Sequence, residues 1–109
     1  MTSGMSSEDR RILDAFAMRV RGFAPSAAVW AFGSRARGSA HPESDLDLCL
    51  VLPEVTRELR EAIHAIAWEI GFDEGRVLAP IIFSEEDFER APMSASTLVA
   101  HIRREGISA

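Results

Sequence analysis

A single cysteine stands among 109 residues, so no disulfide can form within the chain and its core rests on apolar burial. That residue, Cys49, lies in an apolar run and reads as a small buried hydrophobe rather than a reactive thiol. No segment approaches the roughly 20 consecutive apolar residues of a membrane span. Met1 to Arg11 hold no continuous apolar core of the signal-peptide kind. The expectation is a cytoplasmic protein that does not enter a membrane. Positive charge is scarce: 12 basic against 17 acidic residues leave a net charge of −5 and a pI near 5.1. That balance argues against an extended nucleic-acid footprint, which is normally basic. His41, His64 and His101 do not cluster, and a zinc site would need further ligands that the chain lacks at suitable spacing. There is no repeat and no low-complexity linker. What is present, 47% hydrophobic and 27% charged residues, is ordinary for one compact domain over residues 1–109. A chain of this size buries roughly two-thirds of its unfolded surface, which leaves a partner interface as a source of extra stability.

The apolar spacing lays out the elements. Ser6 or Ser7 caps a helix with Glu8 and Asp9 in its first turn, Ile12, Leu13, Phe16, Ala17 and Val20 on its buried stripe, and Gly22 at its end. Residues 27–32 read as a buried strand and 46–52 as a second. Pro53 and Glu54 are expected to start another amphipathic helix, with Leu59, Ala62, Ile63, Ile66 and Ile70 inward and Gly71 closing it. Residues 77–83 read as a third strand, placed at an edge or bulge because Pro80 removes one ladder donor. Ser84-Glu85-Glu86-Asp87 resembles a capped start of a short helix. Ser94 or Ser96 opens a last helix carrying Leu98, Val99 and Ile102 on one side, and Gly106 stops it. The fold class that follows is α+β, a small mixed sheet with helices mainly on one face. Trp30 and Trp68 fall on expected core faces and read as packing mass.

Two stretches carry chemistry. Asp45 and Asp47 are one residue apart at the start of the run Leu46, Leu48, Leu50, Val51, Leu52. In a strand alternate side chains share a face, so both acids point one way and the leucines the other. Two carboxylates held that close repel, and without a cation one tends to take up a proton. Magnesium resolves the conflict, because it prefers hard oxygen ligands and commonly binds one or two carboxylates plus substrate phosphates. The phosphates have an obvious seat in Gly33-Ser34-Arg35-Ala36-Arg37-Gly38, where a strand ends and small residues start a helix. Gly33 lets the backbone approach a ligand, Ser34 offers a hydroxyl, and amides at a helix start face an anion. Arg35 and Arg37 can steer a triphosphate or meet an acidic partner surface. All three histidines read as structural or solvated; His41 alone lies in the loop between the two stretches, where it could contact a nucleotide.

Gly33-Ser34, a loop and Asp45-Leu46-Asp47-Leu48 together resemble the signature of the polymerase-β-type nucleotidyltransferases. The longer string, Phe32 to Gly38 followed by Ser44 to Leu48, resembles the small stand-alone minimal nucleotidyltransferase (MNT) proteins of prokaryotes. This resemblance implies the nucleotidyltransferase fold, a nucleoside triphosphate substrate and magnesium held by Asp45 and Asp47. It also implies nucleotide binding by Gly33, Ser34, Arg35 and Arg37. Similar proteins are commonly antitoxins of HEPN/MNT pairs that transfer AMP from ATP to a tyrosine of the HEPN toxin. The implied function is therefore that of a protein adenylyltransferase, with Asp45 and Asp47 catalytic.

One departure stands against the family pattern. Superfamily enzymes usually carry a third carboxylate on a later strand, where it helps bind metal and deprotonate the acceptor. Residues 77–82 offer none, and Ala79 stands where it would be sought. Asp73 or Glu74 could substitute, although a solvated turn is the simpler reading of both. The alternative function is an MNT-fold antitoxin that neutralises its partner by covering it, with weak or absent chemistry. Transfer to a small hydroxylated molecule is a third reading, but enzymes of that kind usually append a helical domain to shape the acceptor pocket.

Overall fold

The computed structural model of the chain describes residues 5–38, 44–90 and 93–109. His41 lies outside them. The order of elements is α1 (Ser7–Arg21), β1 (Ala28–Phe32), α2 (Gly33–Arg37), β2 (Leu46–Leu52), α3 (Arg57–Glu74), β3 (Leu78–Ser84), α4 (Glu85–Glu89), α5 (Met93–Glu105) and β4 (Ile107–Ser108). The strands form one sheet in the order β3-β2-β1-β4. β1 runs antiparallel to β2 and to β4, whereas β2 and β3 are parallel. The sheet is therefore mixed, and Pro80 lies on an edge strand as its missing donor requires.

Three of the helices begin where a side chain supplies a cap. Ser6 caps α1 by accepting from the Asp9 amide at 3.1 Å, Thr56 caps α3 through the Leu59 amide at 3.1 Å, and Ser84 caps α4 through the Asp87 amide at 3.0 Å. The α3 boundaries differ from those expected at both ends. Pro53 and Glu54 form a bend before the helix, because Thr56 offers the better cap. Gly71 lies inside the helix, which continues to Glu74 and ends at Gly75. Gly71 answers a packing demand instead: a Cβ there would meet the Arg76 carbonyl oxygen at 2.5 Å, where the chain folds back toward β3.

The two long helices lie on one face of the sheet. The α1 stripe of Ile12, Leu13, Phe16, Ala17 and Val20 packs with Ile63, Ile66 and Ile70 of α3 over Leu46, Leu48, Leu50 and Leu52, all in one buried cluster. On the other face, Cys49 and Val51 are covered by Phe88 of α4 and by Val99 and Ile102 of α5. That second cluster is smaller and rich in aromatic contact, with Trp30 stacked on Phe88 at 5.6 Å and Phe83 edge-on to it at 5.5 Å. Burial pushes the Cys49 thiol up to about 12, so it is an inert member of this core. Trp68 departs from its expected place: it is 69% exposed on α3, stacked against the equally open Phe72 at 5.3 Å. β4, a two-residue strand after α5, was not evident from the sequence and closes the free edge of β1.

Candidate active site

The strand pairing brings the glycine corner and the acid pair together. Phe32, the last residue of β1, is opposite Asp47 in the antiparallel register, so the chain turns into α2 beside the Asp47 side chain. Gly33 makes that turn with φ at +79°, a conformation that favours glycine. A Cβ at this position would come within 2.5 Å of Asp47 Oδ2. Glycine is thus required twice at residue 33, by backbone conformation and by the carboxylate beside it. Ser34 follows in the first turn of α2, partly accessible, and Gly38 ends this helix in the left-handed region.

Asp45 immediately precedes β2 and is exposed, while Asp47 lies within the strand and is half-buried. The leucines that alternate with them are fully buried on the opposite side, as the period of two demands. The Asp47 carboxyl is pushed up from its ordinary range, first by partial burial and then by the negative charge of Asp45. A pair of hard oxygen donors under mutual repulsion fits a divalent cation such as magnesium, which would relieve that repulsion.

The neighbouring strand bears no acid at the matching place. Ala79 is the residue opposite Asp47 in the parallel β2·β3 register, and among the described residues no group of three metal-ligating side chains gathers here or elsewhere. Glu74 does not fill the gap. It is the last residue of α3, its carboxylate is gripped by Arg11 at 2.7 and 3.1 Å, and that pairing lowers its pKa. Asp73 is exposed on the same helix end.

Arg35 points its guanidinium into the protein. Its Nε donates to the Ser44 carbonyl at 3.2 Å, and Nη1 lies 3.5 Å from Asp9 Oδ2. Arg76 meets the other oxygen of the same carboxylate in a short ion pair and also contacts Glu8 at 3.2 Å. Among the described residues Asp9 is the one polar or charged residue that is buried. Its part was not foreseen, although a signal existed: Asp9 lies three and four residues before Ile12 and Leu13, which places it on the buried stripe of α1 rather than on its solvated face. A carboxylate on such a stripe needs a cationic partner. His64 is exposed and His101 lies 3.3 Å from Glu105 at an i,i+4 spacing.

Comparison with known proteins bears on the fold and the family. Among the curated proteins none matches the chain. Three solved structures share the fold. A toxin-antitoxin complex with AMP-PNP is 14% identical, with a TM-score of 0.57 over 87% of this chain and 70% of that one. A mutant of the toxin-antitoxin MntA-HpeT is 12% identical, with the same TM-score and coverage. A protein of Sulfolobus solfataricus described as a candidate nucleotidyltransferase is 18% identical, with a TM-score of 0.54 over 99% of this chain and 87% of that one. The profile of the nucleotidyltransferase domain matches residues 10–104, a span that includes the corner, the acid pair and every strand except β4. The chain therefore belongs to the nucleotidyltransferase domain family of the polymerase-β type, with the fold of an MNT-type domain.

Proposed function

We propose that this chain is an antitoxin that transfers AMP from ATP to a hydroxyl of its toxin partner, a HEPN-type protein, in the cytoplasm. The observation that carries this reading is the placement of Gly33 against the Asp47 carboxylate, which joins an anion-binding corner to a pair of metal-binding acids. The toxin-antitoxin structures with the same fold support it. The chain contains no tyrosine, so a tyrosine acceptor must come from another protein. We take residues 1–109 as one domain that performs this step.

Asp45 and Asp47 would hold magnesium, and the Gly33 and Ser34 backbone with the Ser34 hydroxyl would orient the β- and γ-phosphates. Arg37 adds positive charge to the corner, whereas the Arg35 guanidinium is turned to the Ser44 carbonyl and Asp9. Bound there, magnesium would supply positive charge against that of the triphosphate. The acceptor oxygen attacks the α-phosphorus in line, the bond from that phosphorus to the bridging oxygen breaks, and the acceptor proton passes to Asp47 or to solvent.

Incubation with magnesium, α-labelled ATP and the product of the neighbouring gene tests the proposal. Label is expected on the partner, and none with the Asp45→Ala/Asp47→Ala variant. A second reading rests on Ala79, which leaves no third acid opposite Asp47: the chain neutralises its partner by binding alone. Neutralisation that survives the double substitution, with no label moved, selects that reading.

A further inference from the structure

We infer that Asp9, Arg35 and Arg76 form a tether that positions the Asp45 metal-binding segment, and that Arg35 acts through Ser44 rather than by touching the triphosphate. This inference rests on the proposed nucleotidyl transfer for its meaning, but not for its test.

The three side chains are withdrawn from water, with exposures of 4% for Asp9, 11% for Arg35 and 12% for Arg76. The two oxygens of Asp9 are divided between them: Oδ2 faces Arg35 and Oδ1 faces Arg76. Arg35 belongs to the corner helix α2, and its Nε holds the Ser44 carbonyl, one residue before Asp45. Arg76 belongs to the turn before β3, where the neighbouring Val77 carbonyl accepts from the Leu46 amide at 2.9 Å. One carboxylate in the first turn of α1 thus joins the corner helix, the approach to β2 and the approach to β3. Asp45 is exposed and lies outside the strand ladder, so the ladder does not fix it. The Arg35 bond to Ser44 does so from one side, and Leu46 from the other.

The planar guanidinium suits this task because two of its edges are used at once, one on the carboxylate and one on the carbonyl. Partners behind a metal-binding side chain typically alter metal affinity by about 10–100-fold when removed. Substrate contacts shift the nucleotide instead, which separates the two roles.

The tether is tested with Arg35→Gln, which keeps the Asp9 to Arg76 pair, and with Asp9→Asn. In the free proteins, hydrogen exchange followed by mass spectrometry is expected to quicken in peptides covering residues 44–47, with peptides from the middle of α3 unchanged. In the transfer assay, Arg35→Gln is expected to raise the magnesium concentration for half-maximal rate about tenfold while the KM for ATP stays within about twofold. Arg35→Lys, which keeps the charge but not the fork, is expected to behave like Arg35→Gln. Unchanged exchange at 44–47 in Arg35→Gln overturns the tether. So does a rise in the KM for ATP at an unchanged magnesium requirement, or full rescue by lysine. If the wild type moves no label, the proposed transfer fails, and the exchange comparison still decides the tether. Asp9→Asn that does not fold leaves Arg35→Gln to decide it.

Discussion

Asp9 and Asp47 are both carboxylates drawn out of water around the same corner of the sheet, and their surroundings are opposite. Asp9 is met by two guanidinium groups, one on each oxygen. Asp47 is met by a second acid and by the backbone of Gly33. The first arrangement is balanced within the chain, whereas the second sets one negative charge beside another. Balanced charge at Asp9 ties together the first turn of α1, α2 and the turn before β3, and the unbalanced charge at Asp47 is what the proposed cation would offset.

The largest expected break in that contrast is at the balanced site. Asp9→Ala leaves Arg35 and Arg76 without their shared counterion, and removing one partner of a buried ion pair costs roughly 3–5 kcal/mol. Urea denaturation should show this loss as a lower midpoint with an unchanged slope. Arg76 retains Glu8, which is largely exposed, and Arg35 retains the Ser44 carbonyl, so the low end of that range is expected. A loss below about 1 kcal/mol, the scale of a surface pair, would mean that the cluster is solvated like the outer ion pairs.

A second change sharpens the other site. Ala79 lies opposite Asp47, so Ala79→Asp places a third carboxylate beside the pair and supplies a base for the acceptor hydroxyl. General-base assistance is typically worth about 10²–10⁴-fold. An increase near the low end is expected in the initial rate of label transfer, since neither the metal nor the acceptor geometry has been tuned to the new group. A rate unchanged or lowered would mean that the acceptor loses its proton elsewhere.

The sequence disclosed these two sites unequally. The acid pair, the glycine corner and the buried leucine row were legible because strand periodicity and glycine chemistry are local rules. Ala79 was legible in part, from position alone, and the parallel register then fixed it. Asp9 was overlooked because an acid in the first turn of a helix has an ordinary explanation in the helix dipole, and its partners Arg35 and Arg76 are 26 and 67 residues away. Trp68 was misplaced for a related reason. A large aromatic on a helix is usually buried, but its side of α3 turns away from the sheet and stacks on Phe72 in the open. Gly71 was taken for a stop signal when the Arg76 turn packing against it is what demands glycine. For Asp9 the missing knowledge was which distant segments would arrive, and for Trp68 and Gly71 it was how α3 and the turn after it are set against the sheet.

The smallest effect isolates the repulsion itself. Asp47 has its folded-state pKa raised, so between the ordinary carboxylate value and the raised one the folded chain holds more protons than the unfolded chain. Stability therefore falls as pH rises through that window, and the penalty is absent below it, where both states are protonated. Asp47→Asn removes the penalty, and in magnesium-free buffer it should stabilise the chain by about 1 kcal/mol or less, because solvent screens a half-buried pair. The gain should vanish at low pH and grow through the carboxylate range, as a series of thermal melts would show. Adding magnesium should reverse the order, raising the melting temperature of the wild type but not of the variant, since only the wild type keeps both ligands. If Asp47→Asn melts lower than the wild type at neutral pH without metal, the pair is not in conflict, and the case for a cation between Asp45 and Asp47 loses its electrostatic ground.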